Sequence, residues 1–76
     1  MENITEHMKE KARLFLKNDI RAFIKDIFDN YHFCEIKEVH EDWIIIEHFK
    51  GNRDGESIRL FLIDIKLIEE YMEVRE

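Results

Sequence analysis

A chain of 76 residues with a formal charge of −6 and a single cysteine has room for one domain and cannot form an internal disulfide. A domain this small buries only about 60% of the surface its unfolded chain exposes, which leaves no material for a second core. An apolar share of 45% excludes a disordered chain, the absence of any apolar run near the ~18 residues of a membrane span excludes a spanning helix, and the acidic balance with no basic cluster opposes a phosphate backbone.

The first segment, "ENITEHMKEKARLFLKND", has the spacing of a helix. Asn3 and Glu6 stand at capping-box distance. Ile4, Met8, Ala12 and Phe15 recur on one stripe, joined by Leu16, with charges between them. Asn18-Asp19 supplies a stop, because Asn tolerates the left-handed backbone of a helix end. The spacing predicts a helix over residues 4–17. Its charged start, "MENITEHMKEK", lacks the apolar block of a signal peptide, so a cytoplasmic location is expected.

The second segment, "IRAFIKDIFDNYHFCEIKEV", supports two readings. Ile20, Phe23, Ile24, Ile27, Phe28 and Tyr31 keep a helical period, while Ile20, Ala22 and Ile24 alternate as in a strand. The turn signal Asp29-Asn30 favours two strands, over about residues 20–27 and 32–39. The other architecture stays open at this point: two N-terminal helices packed on a β-hairpin sheet.

From Trp43 onward, "WIIIEHF" and "SIRLFLIDI" are rich in β-branched and aromatic residues. The connector "KGNRDGE" holds both glycines of the chain and has the chemistry of a turn. A hairpin is predicted, followed by a short strand over Ile68–Val74. In the second arm Ile58, Leu60 and Leu62 face one way and Phe61, Ile63 and Ile65 the other. In the first arm Ile44 and Ile46 oppose Trp43, Ile45 and Phe49. A half-solvated antiparallel strand would alternate apolar with polar residues, and these do not. Both faces therefore need cover, one by closure of the sheet, the other by the N-terminal helix and another subunit together rather than by either alone. The expected fold is α+β or mainly β: a helix over residues 1–18, then a small five-stranded antiparallel barrel over residues 19–76.

That order resembles the Sm-like (Lsm) proteins, small SH3-like barrels with an N-terminal helix. The resemblance is carried by "IRAFIKDIFDNYHFCEI" as the first two strands, "DWIIIEHF" as the third, and "SIRLFLIDIKLIEEY" as the fourth and fifth. It implies assembly into rings through the last two strands and RNA binding within the ring. The family's RNA-binding elements are not carried over. The stretch before the third strand, "VHEDWIII", lacks the family's Asn; "LIDIKLI" lacks its Arg-Gly pair; and "FCEI" lacks the glycine of the second strand.

Residues for catalysis are sparse. Ser57 has no Gly-x-Ser-x-Gly context, and Thr5 lies in the first helical turn. Cys34, two residues from His32 on a strand, shares a face with it, which is the geometry of a thiol beside an imidazole, although a lone cysteine is usually a small buried hydrophobe. His32, Cys34, His40 and His48 supply zinc-type donors but without the tight ligand pairs of a structural zinc site. The carboxylates Glu38, Glu41 and Asp42 read as a charged turn. No metal or cofactor is expected.

The function expected from the residues is a non-enzymatic interaction module that self-associates or docks a protein through apolar strand surfaces. Trp43, Phe61, Ile63, Ile65 and Tyr71 are its candidate interface. Lys50, Asn52, Arg53 and Asp54 form a candidate recognition loop, since recognition residues concentrate on loops held by a scaffold. Tyr31 and Phe33 join Trp43 and Tyr71 as aromatics suited to core packing or to a binding platform. The alternatives are an Sm-like RNA binder, which the net charge disfavours, and a small metal-binding or cysteine-dependent protein.

Overall fold

In the computed structural model, which describes residues 4–72, helix α1 spans Ile4–Lys17 as its periodicity predicts. Asn3, half of the expected capping box, lies outside the described residues. The helix ends in a Schellman turn. Asp19 takes the left-handed conformation (φ 54°), its N–H bonds to the Leu16 carbonyl, and the Ile20 N–H bonds to the Phe15 carbonyl at 2.9 Å. Asn18 adds a side-chain bond to the Leu14 carbonyl. The buried stripe is Lys9, Ala12 and Phe15, with Met8 packed against the core. Ile4 and Leu16, expected on that stripe, face outward.

Five antiparallel strands follow: β1 Arg21–Asp26, β2 Tyr31–Val39, β3 Trp43–His48, β4 Ser57–Phe61 and β5 Ile65–Glu70. The ambiguous segment is thus two strands. Its turn works because Asp29 adopts φ 65° and the Asp26 carboxylate accepts the N–H groups of Phe28 and Asn30. The sheet order is β4-β3-β2-β1-β5. It bends at two register shifts, between Lys25 and Asp26 and between Ile36 and Glu38. The sheet does not close into the expected barrel: β4 and β5 pair with β3 and β1 respectively, and stand at its two edges.

The concave face carries the core. Ala22 and Ile24 of β1, Cys34 and Ile36 of β2, Ile44 and Ile46 of β3, and Leu60, Leu62, Ile65 and Ile68 are buried there with Ala12 and Phe15 of the helix. Lys9 is the one buried lysine or arginine among the described residues. Its stem is buried and its ammonium reaches Glu6 at 3.2 Å and Glu41 at 3.4 Å, joining the helix to the turn between β2 and β3. The hydrogen bond to Glu6 is the main reason its basicity is raised.

Two sequence expectations are corrected in the last third of the chain. Extended alternation was expected from Ser57 through Ile65, but β4 stops at Phe61, and Leu62–Asp64 make a turn of 3-10 helix. That turn resets the facing, so Ile65, expected beside Phe61 and Ile63 at an interface, is a core residue with 4% exposure. The final strand begins at Ile65 rather than Ile68, because Lys25 and Asp26 offer it pairing there. Its expected end at Val74 lies outside the described residues.

Candidate functional site

Alternation on β1 and β2 points Ala22, Ile24 and Asp26 inward, together with His32, Cys34 and Ile36. Two of those six inward positions, Asp26 and His32, therefore carry a carboxyl or an imidazole, and β3 adds a second imidazole in His48, the register partner of Cys34. These three groups form one buried chain. Asp26 Oδ2 lies 3.1 Å from His32 Nε2, His32 Nδ1 lies 2.9 Å from His48 Nε2, and His48 Nδ1 lies 2.8 Å from the Glu56 carbonyl oxygen. No buried side-chain nitrogen or oxygen among the described residues is left without a partner.

Counting protons gives the charge that a complete set of these bonds requires. A carbonyl oxygen only accepts, so His48 Nδ1 carries a hydrogen and donates to Glu56. Burial alone would push the Asp26 carboxyl up, but the N–H of Asn30, the His32 ring and the N–H of Phe28 outweigh it and hold the carboxyl below its ordinary range. A carboxylate also only accepts, so His32 Nε2 donates to it. The contact between the two rings needs a hydrogen of its own. Three bonds require three hydrogens, and two neutral imidazoles hold two. All three bonds are made together only when the His32–His48 pair carries one extra proton, balancing Asp26. The arrangement ties the turn of Asp26–Asn30 to Glu56 at the far end of the β3–β4 loop.

Cys34 is a buried free thiol and is not poised as a thiolate. Its thiol is pushed up to about 12 by burial, with a smaller contribution from the Glu35 charge, so it stays protonated at neutral pH. In the native protein, iodoacetamide should label Cys34 only as fast as the chain unfolds. The sign with pH follows: the folded thiol titrates later than the unfolded one, whose ordinary value is 9.0, so this group's contribution to stability is complete below pH 9.0 and is lost as pH climbs toward about 12. Labelling at the rate of a free thiol would contradict the burial.

The four zinc-type donors do not assemble. His32 and His48 meet, Cys34 lies beside them, and His40 sits apart at the β2–β3 turn, bonded to Glu38 at 2.7 Å and stacked on Trp43 with ring centres 3.8 Å apart. Among the described residues no group of three or more His, Cys, Asp or Glu side chains is placed to hold a metal ion.

The convex face of the sheet is aromatic and cationic. Phe23 stacks on Tyr31 and packs against Phe33, both at 5.4 Å, and Tyr71 meets Phe33 at 5.7 Å and Phe49 at 5.1 Å edge-on. Arg21 lies over Phe49, Lys25 over Tyr31, and Lys50 over both Phe33 and Tyr71, with Nζ 3.1 Å from the Tyr71 hydroxyl. Mutual stacking and these cations give the half-buried rings much of the cover the sequence demanded for a second face. A second group sits at the other end, where Arg59 lies over Trp43 and Phe61.

Of the candidate interface residues, Trp43 and Phe61 are paired across β3 and β4, Ile63 stands in the open on the following turn, and Tyr71 belongs to the separate aromatic group on the convex face. The loop residues Lys50, Asn52, Arg53 and Asp54 are all exposed, and the first three line a cleft of about 220 Å³ with Tyr31, Phe33, His48 and Gly51. Gly51 and Gly55 hold φ of 84° and 85°, the backbone this loop needs to fold back onto His48. Sequence reading did not single out Asp26. The signal was available: a carboxylate two places from Ile24 on the inward side of a strand. Among the described residues, no helix is long and apolar enough to cross a membrane. Compared with known protein families, curated proteins and solved structures, the chain has no match.

Proposed function

We propose that this domain is a non-catalytic interaction module that self-associates by adding the β4 edge of one copy to the β5 edge of the next. The observation that carries the reading is the pair of sheet edges at opposite ends of one sheet, β4 and β5, each with no further strand beside it among the described residues. Each edge presents backbone N–H and C=O groups that a second chain can satisfy. Side-chain chemistry supports a second copy as the occupant. Phe61, 44% exposed, and Ile63, 77% exposed, flank the β4 end, and cationic Arg59 on β4 suits the carboxylates Glu69 and Glu70 on β5. Joining two different edges is a head-to-tail contact, which closes into a ring or runs on as a filament. This mode agrees with what the Sm-like resemblance implies about assembly and does not depend on the RNA-binding elements this chain lacks.

The non-catalytic part of the reading rests on chemistry already committed elsewhere. Both nitrogens of His32 and of His48 are engaged, and the Cys34 thiol is held protonated. Size-exclusion chromatography with light scattering tests the assembly. The wild-type chain is expected at a multiple of its 9.4 kDa mass, and the Phe61→Lys/Ile63→Lys variant at the single-chain mass with an unchanged circular dichroism spectrum. A wild-type protein that stays monomeric at submillimolar concentration removes the proposal.

A further inference from the structure

The buried chain of bonds that starts at Asp26 ends on an exposed loop. His48 is only 3% exposed, yet it lines the cleft beneath the β3–β4 loop, so one end of the imidazole pair borders solvent. Every residue of that loop from Lys50 to Glu56 is exposed. Its return to β3 rests on three short bonds. The Gly55 N–H donates to the His48 carbonyl at 2.8 Å, and the Glu56 carbonyl accepts the His48 backbone N–H at 2.9 Å and the ring Nδ1–H at 2.8 Å. Other charges around the pair are committed elsewhere or lie outside. On β1, Lys25 reaches Asp29; on β2, Cys34 is a neutral thiol and Glu35 is engaged by Arg21 and Lys37. Glu47 alternates away from His48 on β3, and Arg59 of β4 lies over Trp43 and Phe61. On the turn before β5, Asp64 is half-buried, and its carbonyl accepts the Ile27 N–H. Lys66, Glu69 and Glu70 of β5 and the loop's Arg53, Asp54 and Glu56 are exposed, Lys50 rests over the Phe33 and Tyr71 rings, and Lys9 of the helix is held by Glu6 and Glu41.

We infer that this chain of bonds is a proton-operated latch: one added proton on the His32–His48 pair holds the β3–β4 loop down on β3, and loss of that proton frees the loop. Without it, two ring hydrogens remain for three bonds. His32 keeps its hydrogen on Nε2, because the Asp26 carboxylate is the charged and therefore stronger acceptor. The other hydrogen belongs to His48 and has two places to sit. On Nδ1 it preserves the bond to Glu56, but His32 Nδ1 and His48 Nε2 then face each other as bare lone pairs across 2.9 Å. On Nε2 it joins the rings, but a bare Nδ1 then faces the Glu56 carbonyl oxygen across 2.8 Å. One of the two contacts has to part. The rings stand on strands paired with each other, whereas Glu56 stands in an exposed loop, so the loop is what moves. Its departure opens the cleft that His48 lines and loosens the start of β4 at Ser57. The loop is therefore closed on the acid side of the pair's titration and open on the alkaline side. Asp26 sets that direction, since its negative charge claims one hydrogen throughout.

The test is a titration of the full chain by nuclear magnetic resonance from about pH 5 to 9, a span that covers ordinary imidazole titration. Imidazole nitrogen shifts of His32 and His48 are followed beside the amide protection of Gly55 and Glu56, each exchange rate being taken relative to an unstructured chain at the same pH. Coupled rings that share one added proton should report a single step at one pH. Across that step the loop amides should lose about tenfold in protection, the scale of one hydrogen bond, while β2 and β3 stay ordered. In Asp26→Asn the amide supplies the third hydrogen, so the loop should remain closed at every pH. His7→Gln and His40→Gln should leave the step in place, because His7 stands on the helix and His40 is bonded to Glu38 past the other end of β2. Three results overturn the inference: loop protection that does not follow the imidazole step, an Asp26→Asn loop that opens as the wild type does, or no imidazolium on either ring at the acid end. Should Asp26→Asn fail to fold, the wild-type comparison decides alone. The latch does not use the sheet-edge contact, so the Phe61→Lys/Ile63→Lys variant should show the same step.

Discussion

His32→Leu is expected to destabilise the fold by about 3–5 kcal/mol, the usual cost of removing one partner from a buried, hydrogen-bonded charge pair. The substitution keeps the volume of the ring roughly filled, so the loss is electrostatic. Asp26, buried at 4% exposure, keeps its two backbone N–H bonds through Oδ1 but loses the partner of Oδ2. Asp26→Asn should cost far less. An asparagine oxygen still accepts from Phe28 and Asn30, and its amide N–H replaces the missing donor toward His32 Nε2. The chain of bonds is then complete with two neutral imidazoles and no added proton.

The two variants also separate in pH. The folded Asp26 carboxyl sits below its unfolded range, so it contributes stability at pH values above that range, and the contribution drains away as pH falls through the folded value. Asp26→Asn should lose this acid-dependent part of the stability curve. Urea denaturation from pH 3 to 8 measures it, and imidazole nitrogen shifts report the tautomers: one imidazolium shared by the pair in the wild type, two Nδ1–H rings in Asp26→Asn. If His32→Leu costs less than about 1 kcal/mol, below the range for a broken buried pair, the charge count derived from the geometry is wrong.

Ile46→Ala is expected to cost about 2–5 kcal/mol. Ile46 is fully buried in β3, with Ile36 opposite on β2 and Ile58 opposite on β4, so its removal opens a cavity bounded by strands on both sides. Neighbouring backbones fixed by ladder hydrogen bonds cannot collapse into the space, which places the loss toward the upper part of that range. A domain of this length has a total stability of roughly 4–11 kcal/mol at 0.05–0.15 kcal/mol per residue, so this one substitution removes a large share. The urea midpoint should drop with an unchanged slope. An unchanged midpoint would mean that Ile46 is not packed as described.

The helix and the β3–β4 hairpin were legible in the sequence because their signals are local. Residues 20–31 fitted a helical period as well as a strand one, and only a local turn signal favoured two strands. A 3.6-residue stripe, a Schellman stop at Asn18-Asp19 and a turn at Asp29-Asn30 depend on neighbours a few places away. The site was only partly legible. His32 and His48 stood out as residues, but what joins them is the register of β2 against β3, and a shift between Ile36 and Glu38 makes that register unreadable from alternation. The misplacement of Ile65 has a similar origin. Period-two alternation was extended across Leu62–Asp64, where three residues of 3-10 helix carry the chain from one sheet edge toward the other. The open edges themselves were hidden, since apolar residues on both faces of a strand look the same whether the sheet closes or not.

The pairing of β5 with β1 bears on how the chain comes into being. A ribosome delivers β1 early, and β2 can join one flank at once, but the other flank must wait for Ile65–Glu70. At translation rates of about 5–20 residues per second that interval lasts on the order of seconds. Throughout it the nascent domain offers a vacant strand position beside Ala22 and Ile24, the very residues destined for the interior. Any neighbouring copy still under synthesis on the same message could fill that position before the native segment arrives, so fidelity in this fold depends on its last strand arriving promptly.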